Sequence, residues 1–145
     1  MNKVDTALQR FEQGYNCAQV VCAAFGPELG LDLETCFAVA APFGAGMGRE
    51  GEVCGAVSGA LVILGLRHGR AEPDPLVLKE RVYACTQEFL AQFKARNRTL
   101  ICRELLGCDL RTPEGRQAMK ERDLHHAICE KLVRDAVETL DGMTG

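Results

Sequence analysis

The sequence predicts an all-α fold, a single-domain bundle of about six or seven helices with a glycine-rich loop before a buried small-residue helix. Apolar residues recur at helical spacing between strong capping residues, and no alternating strand pattern of any length competes with them. The chain has 145 residues, of which 47% are hydrophobic and 26% charged. A chain of this length and composition can bury one globular core, so we treat residues 1–145 as one domain.

The first three helices are predicted from their caps. Aspartate and asparagine are strong N-cap residues, and glycine or proline ends a helix. Asp5 begins the first predicted helix and Gly14 ends it, Asn16 precedes the second, and Asp32 precedes the third, which Pro42 ends. The predicted helices are residues 5–14, 17–25 and 33–41.

The centre of the chain is a glycine-rich loop that leads directly into an apolar helix over residues 53–66. The loop contains five glycines, and the helix that follows ends around residues 65–69. Gly55, Ala56, Gly59 and Ala60 lie at helical spacing, so one face of this helix has almost no side chain. Another backbone can therefore approach it closely.

The second half of the chain contains four further helical segments. Asp74 and Pro75 begin the longest helix, because proline is favoured at the first helical position. Thr99 is the predicted N-cap of a short helix that Gly107 ends, and Thr112 with Pro113 opens another short turn. The predicted segments are residues 75–96, 100–106, a short turn from 113, and 123–140.

Charge and hydropathy argue against several classes of partner. The formal charge is −3, and no basic run with interleaved aromatics indicates nucleic acid. The N-terminus is polar without the apolar segment of a signal peptide, and the apolar run over residues 53–66 is shorter than the roughly 20 residues of a membrane span. We expect a cytoplasmic protein with no nucleic-acid or membrane partner.

Eight cysteines are the most unusual feature of the composition. In a reducing compartment, such residues are more often ligands or redox groups than structural bridges. Cys17, Cys54 and Cys102 all fall in the first turns of capped helices, where amides and the helix dipole stabilise a thiolate. Cys54, behind the glycine loop, is expected to be the most reactive thiol. Of the other five, Cys22, Cys36 and Cys85 are assigned to apolar stretches, Cys129 lies mid-helix on the inner side of the last helix, and Cys108 is left unassigned.

The glycine loop matches the G-x-G-x-x-G string over residues 46–51. We reject a dinucleotide site, because that motif requires a strand before it and a βαβ unit around it. The loop amides converge at a helix N-terminus and can still bind an anion. Gly46, Gly48 and Arg49 are therefore the candidate cofactor-binding residues, although the loop is more typical of a tight helix connection beside a cysteine site.

Two adjacent histidines precede the last cysteine. His125 and His126 lie four and three residues before Cys129, so on a helix all three share a face. The pattern allows a His/Cys metal pair, but it is more typical of a solvated histidine pair at a helix start.

Four segments resemble the C-GCAxxG-C-C family of putative redox-active proteins. They are GYNCA at residues 14–18, GMGREGEVCGAVSGA at residues 46–60, Cys102 with the following Leu105-Leu106-Gly107, and Cys129. The resemblance implies that the family's four pattern cysteines correspond to Cys17, Cys54, Cys102 and Cys129. These four become the candidate metal ligands, with Cys54 and Cys17 as the candidate catalytic thiols.

Three functions remain open from the sequence. In the first, the four thiols form one pocket that holds an iron–sulfur cluster or cycles as dithiol and disulfide in electron transfer with an unidentified redox partner protein. In the second, they bind structural zinc as a Cys₄ site. In the third, the cysteines are inert and the chain is a helical interaction protein, whose small-residue face packs internally or forms a homodimer.

Overall fold

The computed structural model describes residues 1–143 and confirms the all-α prediction. No strand occurs in this part of the chain, where the only β-type pairing is an isolated antiparallel bridge between Val53 and Ile101. The structure has eight right-handed α-helices rather than six or seven, because both short segments after residue 100 form separate helices. The helices are α1 (Lys3–Glu12), α2 (Cys17–Phe25), α3 (Leu33–Ala40), α4 (Gly55–His68), α5 (Pro75–Asn97), α6 (Cys102–Leu106), α7 (Pro113–Glu121) and α8 (Glu130–Gly142).

Most of the predicted caps are confirmed by their hydrogen bonds. Asn16 and Gln19 form a reciprocal capping box at the start of α2, with both bonds at 2.9 Å. Asp32, Asp74 and Thr112 each accept a hydrogen bond from a backbone amide in the first turn of the helix they precede. The sequence therefore predicted the starts of α2, α3, α5 and α7 correctly.

Several predicted boundaries are wrong, among them the start of α4, which is Gly55 rather than residue 53. Helix α1 begins at Lys3, because Asn2 rather than Asp5 is its N-cap. Helix α6 begins at Cys102 instead of residue 100, since Ile101 is extended and paired with Val53. The last predicted helix is interrupted, because a π-helical turn at His125–Cys129 precedes α8.

The core is built around α2, which packs against α1, α3, α4 and α8. The small-residue face of α4 lies directly against α2. A Cβ atom added at Gly59 would be 2.5 Å from the carbonyl oxygen of Ala18, which confirms the predicted close approach of a second backbone. This face is thus an internal packing surface. Helices α5 and α8 complete the core with Phe89, Phe93 and a row of buried α8 residues.

None of the helices over residues 1–143 combines the length and the apolar character that a membrane crossing would need.

Candidate functional site

All four pattern cysteines line one cavity of about 220 Å³. Cys17 is the first residue of α2, Cys54 directly precedes α4, Cys102 is the first residue of α6, and Cys129 ends the π-helical turn. Three of the four thiols thus lie at the N-termini of α-helices, as predicted. The rest of the lining is mostly apolar or aromatic, with Phe11, Tyr15, Leu106, Leu110, Met119 and Leu132 contributing side chains.

A pair of extended segments positions Cys54 and Cys102. The Cys54 amide donates to the carbonyl of Leu100 at 2.8 Å, and the Cys102 amide donates to the carbonyl of Glu52 at 2.6 Å. These bonds flank the bridge between Val53 and Ile101. The start of α4 and the start of α6 are consequently held side by side, although the two cysteines are far apart in sequence.

The glycine-rich loop contains a left-handed turn that closes another wall of the cavity. Residues 45–49 all have positive φ, from 56° at Ala45 to 72° at Arg49, and the Gly48 amide donates to the Gly44 carbonyl at 2.8 Å. Such a conformation costs a non-glycine residue roughly 1–2 kcal/mol. Backbone strain of this kind persists only where the surrounding structure holds it in place. It is often found at functional sites.

The left-handed turn brings backbone against two of the cysteines. The Ala45 amide lies close enough to the Cys17 sulfur to lower the pKa of that thiol. Gly46 lies against Cys102, and a Cβ atom added there would be 2.7 Å from the Cys102 Cβ. Of the three predicted loop residues, Gly46 therefore lines the cavity, whereas Gly48 and Arg49 are exposed and lie outside its lining.

Cys17 and Cys54 line the same cavity, and their pKa values are shifted in opposite directions. The pKa of Cys17 is lowered from 9.0 to about 7 by the hydrogen bond with Cys54, with further contributions from the amides of Ala45 and Ala18. The pKa of Cys54 is raised well above 9.0, because it is the partner that keeps its proton and because it is buried. These directions make Cys17 the more acidic of the two thiols, whereas the sequence predicted Cys54 as the most reactive thiol, which stays a prediction.

The two thiols also differ in their exposure to solvent. Cys17 is partly exposed to the cavity, whereas Cys54 is only 4% exposed. Gly55 makes room for the pair, since a Cβ atom at this position would be 2.5 Å from the Cys17 sulfur. Sequence position could not show that Cys17 is the more acidic of the two, because the Ala45 amide lies near Cys17 only in the folded chain.

Cys102 and Cys129 face the same cavity as protonated thiols. Burial is the main cause that raises the pKa of each to about 12, and negative charge on Cys17 adds to the effect in both. Cys108, which the sequence left unassigned, is close enough for its charge to affect both residues. A fifth thiol thus lies beside the cavity, and no spacing in the sequence indicated it.

Cys22 and Cys36 form a separate thiol pair inside the core. Both are fully buried, and burial is the main cause that raises the pKa of Cys22 to about 12. The Cys36 thiol donates a hydrogen bond to the Leu31 carbonyl at 3.3 Å. Neither residue lines the cavity, which agrees with their assignment to apolar core positions.

The spacing of the four cavity sulfurs exceeds that of a tetrahedral zinc site. Zinc–sulfur bonds of about 2.3 Å would place the sulfurs roughly 3.8 Å apart. Among the residues that the structure describes, no three cysteine sulfurs lie within 4.8 Å of one another. Zinc binding by these cysteines would require them to move closer together.

The fold and the site define an all-α protein in which four cysteines from separate helical segments share one cavity. Within that class, the chain belongs to the family described as "Putative redox-active protein (C_GCAxxG_C_C)", whose model matches residues 15–143. The matched region includes all eight cysteines and the residues that precede α2 and α4. Searches of curated proteins and of solved structures gave no match.

Proposed function

We propose that the protein is a dithiol–disulfide redox carrier in which Cys17 and Cys54 are the exchanging pair. The pairing of these two thiols in one cavity is the observation that carries the proposal, because it lowers the pKa of Cys17, raises that of Cys54 and so leaves a thiolate next to a protonated thiol. A thiolate with a pKa near ambient pH is the best attacking group in thiol–disulfide exchange. Cys17 meets this condition.

The solvent exposure of the two cysteines indicates which of them attacks first. The partly exposed Cys17 attacks a disulfide of the oxidised partner and forms a mixed disulfide, while the other partner sulfur leaves as a thiolate. Cys54, which is buried next to Cys17, then attacks the Cys17 sulfur and releases the second partner thiolate. The proton of Cys54 passes to one leaving sulfur and water protonates the other, so the partner is reduced to a dithiol and this chain holds the disulfide.

Trapping the intermediate tests this order. Reduced protein treated with a small disulfide such as oxidised glutathione should yield a Cys17–Cys54 disulfide by peptide mass mapping. The variant Cys54→Ser should instead keep the mixed disulfide on Cys17, because the resolving thiol is missing. Cys36→Ser is the matched control, since it disrupts the other thiol pair and should behave as wild type. If the Cys17–Cys54 disulfide fails to form, the dithiol assignment is wrong.

A second candidate function is an iron–sulfur centre in the same cavity. Four thiols are the usual ligands of such clusters, and the cavity exceeds the approximately 150 Å³ that holds an aromatic ring in an engineered protein core. Cys17, Cys54, Cys102 and Cys129 would hold the cluster, which would supply one-electron transfer. The amides near Cys17 and Cys54 would donate hydrogen bonds to the sulfurs and tune the potential.

Anaerobic purification distinguishes the two candidates. Stoichiometric iron and acid-labile sulfide, with visible absorption that disappears in Cys102→Ser and Cys129→Ser, would favour the cluster. A colourless protein that exchanges disulfides in both variants would favour the dithiol carrier. The two results differ because Cys102 and Cys129 are required for the cluster and dispensable for a Cys17–Cys54 disulfide.

A further inference from the structure

A second group of potential ligands lies at the edge of the thiol cavity and contains no sulfur. Glu12 is the last residue of α1, and His125 and His126 begin the π-helical turn before α8. One carboxylate oxygen and one nitrogen from each ring all lie within 4.8 Å of one another. Glu12 and His126 are exposed and His125 is partly buried, so a solvated ion can reach all three.

On a regular helix, the side chains of adjacent residues point in different directions. Here the backbone departs from a regular helix, and the rings of the adjacent His125 and His126 lie close together. Asp123 has a positive φ of 51°, and the π-helical turn begins two residues later. The His125 ring stacks on Phe11 with ring centroids 3.8 Å apart, and the His126 ring meets it edge-on at 5.2 Å. Single π-helical turns occur frequently at functional sites.

The partners of His126 match those of a metal-binding histidine. Its Nδ1 lies 2.8 Å from a carboxylate oxygen of Asp123, and its Nε2 lies 2.5 Å from a carboxylate oxygen of Glu12. A ligating histidine almost always donates its other ring N–H to a carboxylate or carbonyl, which fixes the tautomer and the ring direction. Asp123 would have that outer role, leaving Nε2 for the ion.

We propose that Glu12, His125 and His126 form a binding site for a divalent metal ion of the zinc type. Two imidazoles and one carboxylate are a common three-ligand set for zinc, with water in the fourth position. The ion would replace the hydrogen bond between His126 and Glu12. Metal–ligand bonds of about 2.0–2.2 Å require donor atoms roughly 3.3 Å apart, so this contact would widen slightly.

The ligand atoms of this site are nitrogen and oxygen rather than sulfur, but the site lies next to the thiol cavity. His125 and Phe11 line the thiol cavity, whereas Glu12 and His126 do not. The ion would join the end of α1 to the start of the α8 segment, two elements that pack together in the core. This inference does not depend on which redox function the cysteines have.

Cobalt(II) is the probe that separates the two sites. Thiolate-bound cobalt shows strong sulfur-to-metal absorption in the near ultraviolet, and cobalt held by nitrogen and oxygen lacks it. We expect reduced wild-type protein to bind one Co²⁺ without that absorption. Glu12→Gln and His126→Gln should each weaken this binding at least about tenfold, and Asp123→Asn should weaken it by about 10- to 100-fold.

Two matched controls test whether the effect is specific. His68→Gln removes the remaining histidine of the chain, and Glu34→Gln removes an exposed carboxylate from another helix start. Both should bind Co²⁺ like wild type. Zinc should also raise the melting temperature of wild type and His68→Gln but not of His126→Gln, because a ligand that binds only the folded state stabilises it. Wild-type Co²⁺ affinity in Glu12→Gln and His126→Gln, or cobalt bound only with thiolate absorption, would overturn the proposal.

Discussion

At the scale of single residues, Cys17 and Cys54 show how similar sequence positions acquire different chemistry. Both thiols lie at the N-terminus of a helix, and both accept hydrogen bonds from backbone amides. Cys17 also receives the amide of Ala45 from the left-handed turn, and it is the more exposed of the two. These contacts concentrate the negative charge on Cys17 and leave the proton on Cys54.

The first prediction concerns the reactivity of Cys17. Its alkylation rate, followed by peptide mass mapping across a pH series, should have a midpoint near pH 7, because the folded structure lowers its pKa to about 7. Cys54→Ala should move the midpoint of Cys17 upward toward 9.0, since the hydrogen bond from Cys54 is the largest cause of the lowering. Cys36→Ala should leave it unchanged. A wild-type Cys17 midpoint at the ordinary value, or no shift in Cys54→Ala, would contradict this account.

The two shifts also have opposite effects on stability. The folded pKa of Cys17 is below its ordinary value of 9.0, so its deprotonation raises the free energy of unfolding as the pH rises from about 7 to 9. The folded pKa of Cys54 is above 9.0, so the unfolded state loses that proton first and stability falls at higher pH. The thiol pair therefore favours the folded state most near pH 9.

At the scale of elements, the contact between α2 and α4 depends on glycine. Gly59 lies against the backbone of Ala18, and Gly55 lies against the Cys17 sulfur. Gly65, on the same helix, has no atom within 4 Å of the position where a Cβ would be. The small-residue pattern of α4 correctly predicted a close contact, and the fold shows that α2 is the partner.

The second prediction compares two glycines of α4. Gly59→Ala should destabilise the protein by about 1–3 kcal/mol, because the new methyl group would overlap the Ala18 carbonyl and force the helices apart. Gly65→Ala should stabilise it by about 0.4–1 kcal/mol, because alanine reduces the entropy of the unfolded chain at no steric cost. Urea unfolding followed by circular dichroism measures both. Equal effects of the two substitutions would show that α2 and α4 are not in close contact.

Two short elements near the site had no signal in the sequence. The left-handed turn includes Ala45, Met47 and Arg49, which rarely adopt positive φ. The π-helical turn at His125–Cys129 lies inside a stretch that has an ordinary helical pattern. Both conformations are locally unfavourable, so contacts with the rest of the protein must stabilise them.

At the scale of the whole molecule, the main core contains buried residues of α1 to α5 and α8, and a smaller cluster contains Cys102, Leu106, Leu110 and Leu124. Cys22 and Cys36 are fully buried in the main core, whereas Cys17 faces the cavity. Labelling of buried thiols requires the opening of the structure that covers them. These cysteines therefore report on how cooperatively the chain unfolds.

The third prediction is that Cys22 and Cys36 become reactive only through global unfolding. Pulsed alkylation in increasing urea should give them the same dependence on urea as the unfolding transition seen by circular dichroism, as expected for one cooperative domain. Cys17 should react without urea and with little dependence on it. Labelling of Cys22 and Cys36 in the absence of urea, at a rate insensitive to it, would indicate that α2 and α3 open separately from the rest.

The sequence by itself determined the helical class, the starts of α2, α3, α5 and α7, and three of the four pattern cysteines that line the cavity. These depend on local information, since capping by Asn16 or Asp32 and the apolar spacing of α8 act within a few residues. The family resemblance added Cys129, which no cap indicated.

Tertiary structure alone decided which cysteine becomes the thiolate, that Gly48 and Arg49 lie outside the cavity, and that Glu12 meets His125 and His126. Each of these facts depends on groups that are distant in sequence, such as the Ala45 amide beside the Cys17 sulfur. A pKa or a ligand set follows from distances between atoms. Residue spacing along the chain fixes those distances only within a single helix or turn.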